Sequence, residues 1–194
     1  MQNIGLKKGD VLIIVDMQND FMPDGALPVP GSDEIIPVLN SYIRLFSNNA
    51  LKVVASRDWH PPDHCSFKEN GGIWPVHCVA RTKGAEFPSQ LHLPKDTIII
   101  SKAMDPKKDA YSALQDTDLL DILKKDGIER CFVGGIATDY CVLHTVLDLL
   151  KQGYDVYLLR DAIRAVDAHP GDGERAIKEM QQKGARMITL EMIE

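Results

Sequence analysis

Six short apolar runs recur along the chain: VLIIV from Val11, KVVAS from Lys52, TIIIS from Thr97, CFVGGI from Cys131, VYLLR from Val156 and RMITL from Arg186. Each is continuously apolar rather than alternating. That is the pattern of a strand covered on both faces, as in a parallel sheet held between helices. Between the runs, apolar positions recur at helical spacing. SDEIIPVLNSYIRLF opens with a cap signal at Ser32 and Asp33, and ATDYCVLHTVLDLLKQG carries a helical period from Cys141 to a C-capping Gly153. A further helix after HPGD places Ala176, Ile177 and Met180 on one face and ends at QKGA. The order predicts an α/β fold.

Composition narrows the function. With 194 residues, 44% of them hydrophobic, the chain can bury a sizeable core, and it reads as one domain over 1–194. The net charge of -6 and the lack of any lysine and arginine cluster argue against nucleic acid as a partner. No apolar run approaches the roughly 18 residues of a membrane span, and MQNIGLKKGD lacks the apolar centre of a signal peptide. A cytoplasmic location without membrane contact is expected. Cys65, Cys78, Cys131 and Cys141 are too few for a disulfide scaffold, so free thiols are expected.

In open α/β sheets, ligands bind beyond the carboxyl ends of the strands. The residues just after the apolar runs are Asp16, then Asp58, His60 and His64, then Lys102, then Cys141. Asp58 and His60, one residue apart on an extended strand end, project to the same side and can share an ion. A third ligand comes from His64 or from His77 in WPVHC, and imidazole with carboxylate suits Zn, Fe or Mn better than Ca or Mg. The stretch from Asp58 to Lys95 is long and irregular, as functional loops are. Cys141 opens a helical pattern, where free N–H groups and the helix dipole favour a thiolate. The N–H groups around Ala137 and Cys141 could hold the oxyanion formed when that sulfur attacks a carbonyl. Asp16 is the candidate base, and Lys102 the cation that favours the anions. Taken singly, each of these residues is as well explained by packing or solvation; their shared position is what argues for chemistry. Cys65, Cys78 and Cys131 have no such setting and read as packing residues.

Taken together, DMQNDF, RDWHPPDHCSF, WPVHCV, GAEF, DAYSAL and GGIATDYCV resemble the nicotinamidase/pyrazinamidase branch of the isochorismatase-like hydrolases, over nearly the whole chain. The resemblance implies a three-layer αβα sandwich around a six-stranded parallel sheet. It implies Asp16, Lys102 and Cys141 as catalytic residues and Asp58, His60 and His77 as metal ligands, with His64 a ligand in some members. The implied cofactor is one divalent transition ion, zinc ahead of iron or manganese. It further implies a cis Ile136–Ala137 bond at the oxyanion site and a substrate ring held among Phe21, Trp74 and Tyr111. The activity implied is hydrolysis of nicotinamide to nicotinate and ammonia through a cysteine thioester, extending to pyrazinamide, in NAD salvage. A homo-oligomer is left open. Arg81 departs from the family, many of whose members carry glycine there, which bears on the mouth of the pocket. Two other functions are carried alongside: hydrolysis of a different small amide, and a metal-binding protein that keeps the fold without catalysis.

Overall fold

The computed structural model describes residues 3–194, so the first two residues of MQNIGLKKGD lie outside it. The order of elements is β1 (Asp10–Val15), α1 (Ile36–Asn48), β2 (Lys52–Asp58), β3 (Ile98–Lys102), α2 (Leu119–Lys125), β4 (Arg130–Ile136), α3 (Leu143–Lys151), β5 (Asp155–Arg164), α4 (Asp172–Gln182) and β6 (Arg186–Ile188). The strands form one sheet in the order β3-β2-β1-β4-β5-β6, every neighbouring pair parallel. None of the described helices is long and apolar enough to cross a membrane.

Residues of β1 explain why the apolar runs are continuous. Leu12 and Ile14 point into the core shared with α1, through Leu39, Tyr42, Ile43 and Phe46. Val11, Ile13 and Val15 point the other way, into the core built with Leu119 and Leu123 of α2, Val146 and Leu149 of α3, and Ile177 and Met180 of α4. Successive strand side chains face opposite sides, so a strand buried on both sides has no polar position to spare.

Two local expectations change. Ser32 does not cap a helix: its hydroxyl donates to the Phe21 carbonyl at 2.8 Å, and α1 starts only at Ile36, after a 3-10 turn over Asp33–Ile35. The helix expected from Cys141 begins instead as a π-turn over Thr138–Val142 that leads into α3. Gly153 does follow the end of α3, at φ 89° with its N–H on the Leu150 carbonyl, the left-handed stop that glycine allows.

The sheet reverses its winding between β1 and β4. Here the backbones approach so closely that a Cβ on Gly135, at φ 118°, would lie 2.1 Å from the Val15 carbonyl oxygen. Only glycine fits. On its other side β4 meets a bulge: Val133 pairs with Leu158 but Gly135 pairs with Ile163, so β5 carries surplus chain towards its carboxyl end.

Candidate active site and metal centre

Asp16 directly follows β1, in the left-handed region at φ 49°. Its Oδ1 accepts a hydrogen bond from Ser56 Oγ at 2.7 Å, and its Oδ2 faces Lys102 Nζ at 3.0 Å. Lys102 ends β3 and lies in register with Asp58, which ends β2. The Lys102 ammonium is buried; it is ion-paired with Asp58 as well as Asp16, donates to the Ala110 carbonyl at 3.2 Å and lies 3.4 Å from Cys141 Sγ. Three strand ends and the turn after β4 thus bring two carboxylates, one ammonium and one thiol together at the switch point of the sheet.

Beside them, one donor atom each from Asp58, His60 and His77 lies within 4.8 Å of the others. All three residues are buried. His60 Nε2, 3.8 Å from Asp58 Oδ2, has no hydrogen-bond partner, an expense explained if that lone pair serves an ion. The other nitrogens are turned away: His60 Nδ1 lies 3.3 Å from the Ala103 carbonyl, and His77 Nδ1 is 2.8 Å from the Pro75 carbonyl. Orienting contacts of this kind leave Nε2 free to ligate, so these residues fit a divalent transition ion.

His64 does not join them. Its ring lies 4.2 Å from that of His60, but its Nε2 donates to the Lys108 carbonyl at 3.0 Å and its Nδ1 is 2.7 Å from Ser66 Oγ. A carbonyl can only accept, so Nε2 carries the proton and the lone pair on Nδ1 is taken by Ser66. No lone pair remains for a metal.

Residues 10–192 match the family model for the isochorismatase domain. The chain belongs to the isochorismatase family. Among curated members it is 38% identical to the nicotinamidase of Escherichia coli, over 92% of this chain and 94% of that one. Among solved structures it resembles the pyrazinamidase of Pyrococcus horikoshii in complex with zinc, at 52% identity and a TM-score of 0.90, covering 94% of this chain and 99% of that one. It also resembles PnC1 from L. infantum in complex with nicotinate, at 33% identity and a TM-score of 0.90, covering 99% and 98%.

In this isochorismatase-family chain, a cleft of about 390 Å³, including its open mouth, leads down to Cys141. Phe21, Trp74 and Tyr111 line it, together with Asp58, His77, Ile136 and Ala137. Trp74 Nε1–H donates to the Tyr111 hydroxyl at 3.1 Å, which fixes the two rings against each other. The Ile136–Ala137 peptide bond is cis. Ala137 directly precedes the π-turn that carries Cys141, and both residues line the cleft.

Electrostatics depart from one expectation. Burial pushes the Cys141 thiol well above its ordinary pKa, and Lys102 only partly opposes this. Desolvation outweighs the nearby cation and so favours the neutral thiol over the thiolate. Burial also raises Asp16, against the pull of Lys102 and with a further push from Asp58, which makes it a stronger base than an ordinary carboxylate. Burial would lower Lys102, but Asp16, Asp58 and Cys141 together hold it well above the usual amine range. His60 is lowered to about 4, mainly by burial and against the attraction of Asp58, so it is neutral and ready to ligate at pH 7.

Sequence reasoning missed the supporting residues. Leu27, Val29, Tyr140 and Val166 also wall the cleft, and Tyr140 packs edge-on to Trp74 at 5.0 Å. Ser56, which orients Asp16, lay two residues before a singled-out aspartate and gave no signal of its own. Arg81 takes up the left-handed conformation, at φ 67°, that glycine adopts without strain.

Proposed function

We propose that this chain hydrolyses nicotinamide to nicotinate and ammonia, takes pyrazinamide as a second substrate, and serves the salvage of pyridine nucleotides from one hydrolase domain. The observation that carries this reading is the thiol of Cys141 at the base of an aromatic cleft, between an acid–ammonium pair and a second group of metal-type donors. Relatives that are nicotinamidases and a pyrazinamidase support the choice of amide.

Asp16 takes the proton from Cys141 as the sulfur adds to the carboxamide carbon. Ala137 and Cys141 donate their N–H groups to the oxygen that becomes negative. As the C–N bond breaks, Asp16 returns the proton to the departing ammonia. Water then enters and loses a proton to Asp16 as it adds to the thioester carbon; the C–S bond breaks and the thiol is restored. Lys102 holds Asp16 and Asp58 together through the cycle and limits the cost of their charges. Phe21, Trp74 and Tyr111 clasp the ring so that its nitrogen faces Asp58 and His77. Asp58, His60 and His77 would hold one divalent transition ion, zinc by preference for two imidazoles and a carboxylate, which when bound supplies a Lewis acid for the ring nitrogen and for an ordered water.

Ammonia release from the purified protein tests this, with nicotinamide, pyrazinamide, benzamide and an aliphatic amide compared and bound metal measured by elemental analysis. Nicotinamide should exceed benzamide, which lacks the ring nitrogen. A preference for the aliphatic amide would point to another amidase activity, and bound metal without ammonia from any amide would leave a binding protein.

A further inference from the structure

We propose that Gln18 and Asp20 are positioning residues that lock the two halves of the metal site, Gln18 by holding Asp58 and Asp20 by holding the His77–Cys78 turn; this rests on the assignment of Asp58, His60 and His77 as ligands. Asp16 N–H donates to the Ser56 carbonyl at 3.2 Å, as the last rung between β1 and β2. The next parallel rungs would join Asp16 C=O to Asp58 N–H and Gln18 N–H to Asp58 C=O. Neither forms. The left-handed turn at Asp16 folds the chain back, and Gln18 N–H donates to the Asp16 carbonyl instead, at 2.8 Å.

The side chain of Gln18 supplies both missing rungs. Its Oε1 accepts from Asp58 N–H at 2.7 Å, and its Nε2 donates to Asp58 C=O at 2.8 Å and to Ala85 C=O at 3.0 Å. Gln18 is fully buried, so Asp58 has no water to replace these bonds. Asp58 is thereby held extended for one residue beyond the point where its neighbour strand has turned away. That is what sets its carboxylate between Lys102 and the two histidines.

Asp20, two residues on, does the same for the other half. Its Oδ2 accepts from Cys78 N–H at 2.6 Å, and Cys78 is itself left-handed at φ 46°. The Cys78 carbonyl accepts from His60 N–H at 3.1 Å, so one carboxylate ties together the backbones that carry both imidazoles. Gly84 makes room for it, since a Cβ there would lie 2.2 Å from Asp20 Oδ2. Asp16, Gln18 and Asp20 thus project from one short segment to the reacting thiol, the backbone of Asp58 and the backbone beside His77 in turn.

The test is zinc affinity of the metal-free full chain, with zinc chloride titrated against a chromogenic chelator and folding followed by circular dichroism. Gln18→Met keeps length without either bond, and Asp20→Ala removes the acceptor; each should weaken zinc binding by about 10–100-fold. Asp20→Asn, which keeps an acceptor for Cys78, should restore affinity close to the parent, a rescue that mere loss of stability would not show. Should Gln18→Met fail to fold, the Asp20→Ala and Asp20→Asn pair decides. Parent-like affinity in folded Gln18→Met and Asp20→Ala overturns the proposal, provided that a His60→Ala control loses zinc. If His60→Ala keeps zinc as well, the ligand assignment itself falls.

Discussion

Replacing Lys102 by methionine keeps the length of the side chain but leaves two buried carboxylates facing each other without a cation. Oxygens of Asp16 and Asp58 lie within 4.8 Å. At an effective dielectric constant of about 20, two full charges at that separation repel by about 3.5 kcal/mol, or about 2.5 pH units. Asp16 should yield first, because burial and the charge of Asp58 already raise it even with Lys102 in place. A carboxyl whose folded pKa is raised costs stability above its unfolded pKa, and the cost fades as pH falls and the proton is taken up. The parent pair behaves oppositely at Asp58: its lowered pKa adds stability above the unfolded value, lost as pH falls through the folded value. Between pH 8 and pH 5 it is the proton taken up by Asp16 that narrows the difference between variant and parent, since the contribution of Asp58 is lost only below its unfolded pKa. Urea denaturation of the metal-free proteins should show a deficit of about 3–5 kcal/mol at pH 8, as for other unpaired buried charges, and a smaller one at pH 5. The midpoint for alkylation of Cys141, read on its peptide, should rise, since the cation that opposed its upward shift is gone. An equal deficit at both pH values, with an unmoved alkylation midpoint, would mean that Lys102 only fills space, and the electrostatic account would have to go.

Cys141→Ala should abolish ammonia release while bound metal stays at the parent level by elemental analysis; turnover above contaminating enzyme would sink the thioester. His64→Ala should also retain metal, because both ring nitrogens already serve Ser66 and Lys108, and full metal loss would restore it as a ligand. Arg81→Gly should raise stability by about 0.5–1 kcal/mol, the left-handed penalty less the flexibility of glycine, seen as about 1–4 °C in Tm. Gly135→Ala should cost at least about 3 kcal/mol in denaturant and most of the activity, since the new methyl overlaps the Val15 carbonyl between the bases of Asp16 and Ala137.

The strands were legible because burial on both faces writes itself into composition, and the gathering of Asp16, Asp58, Lys102 and Cys141 because these residues follow or end those strands. α2 was not foreseen, although Leu119, Leu120, Ile122 and Leu123 carry a helical pattern; a seven-residue helix offers too few turns to establish a period. The supposed cap at Ser32 failed because its hydroxyl found a distant carbonyl, and no sequence spacing reveals such a partner. Gln18 escaped notice for a related reason: it binds backbone, which any amide could do, and only the fold brings Asp58 to it. The upward push on the Cys141 thiol was not legible, because a helix start and a lysine can be read from sequence, whereas the depth of burial that opposes them cannot.

The bulge in β5 acts as a spacer. By spending chain between Leu158 and Ile163, it carries Val166 to the cleft wall, where Asp139 fastens its N–H at 2.9 Å. The reach of that wall is therefore governed by a count of residues laid out away from the thiol, not by the bulk of any side chain near it. Relatives with a roomier or tighter cleft could arise by insertion or deletion in this strand alone, with the reacting groups untouched, and a designer seeking larger amides would do well to vary length there before identity.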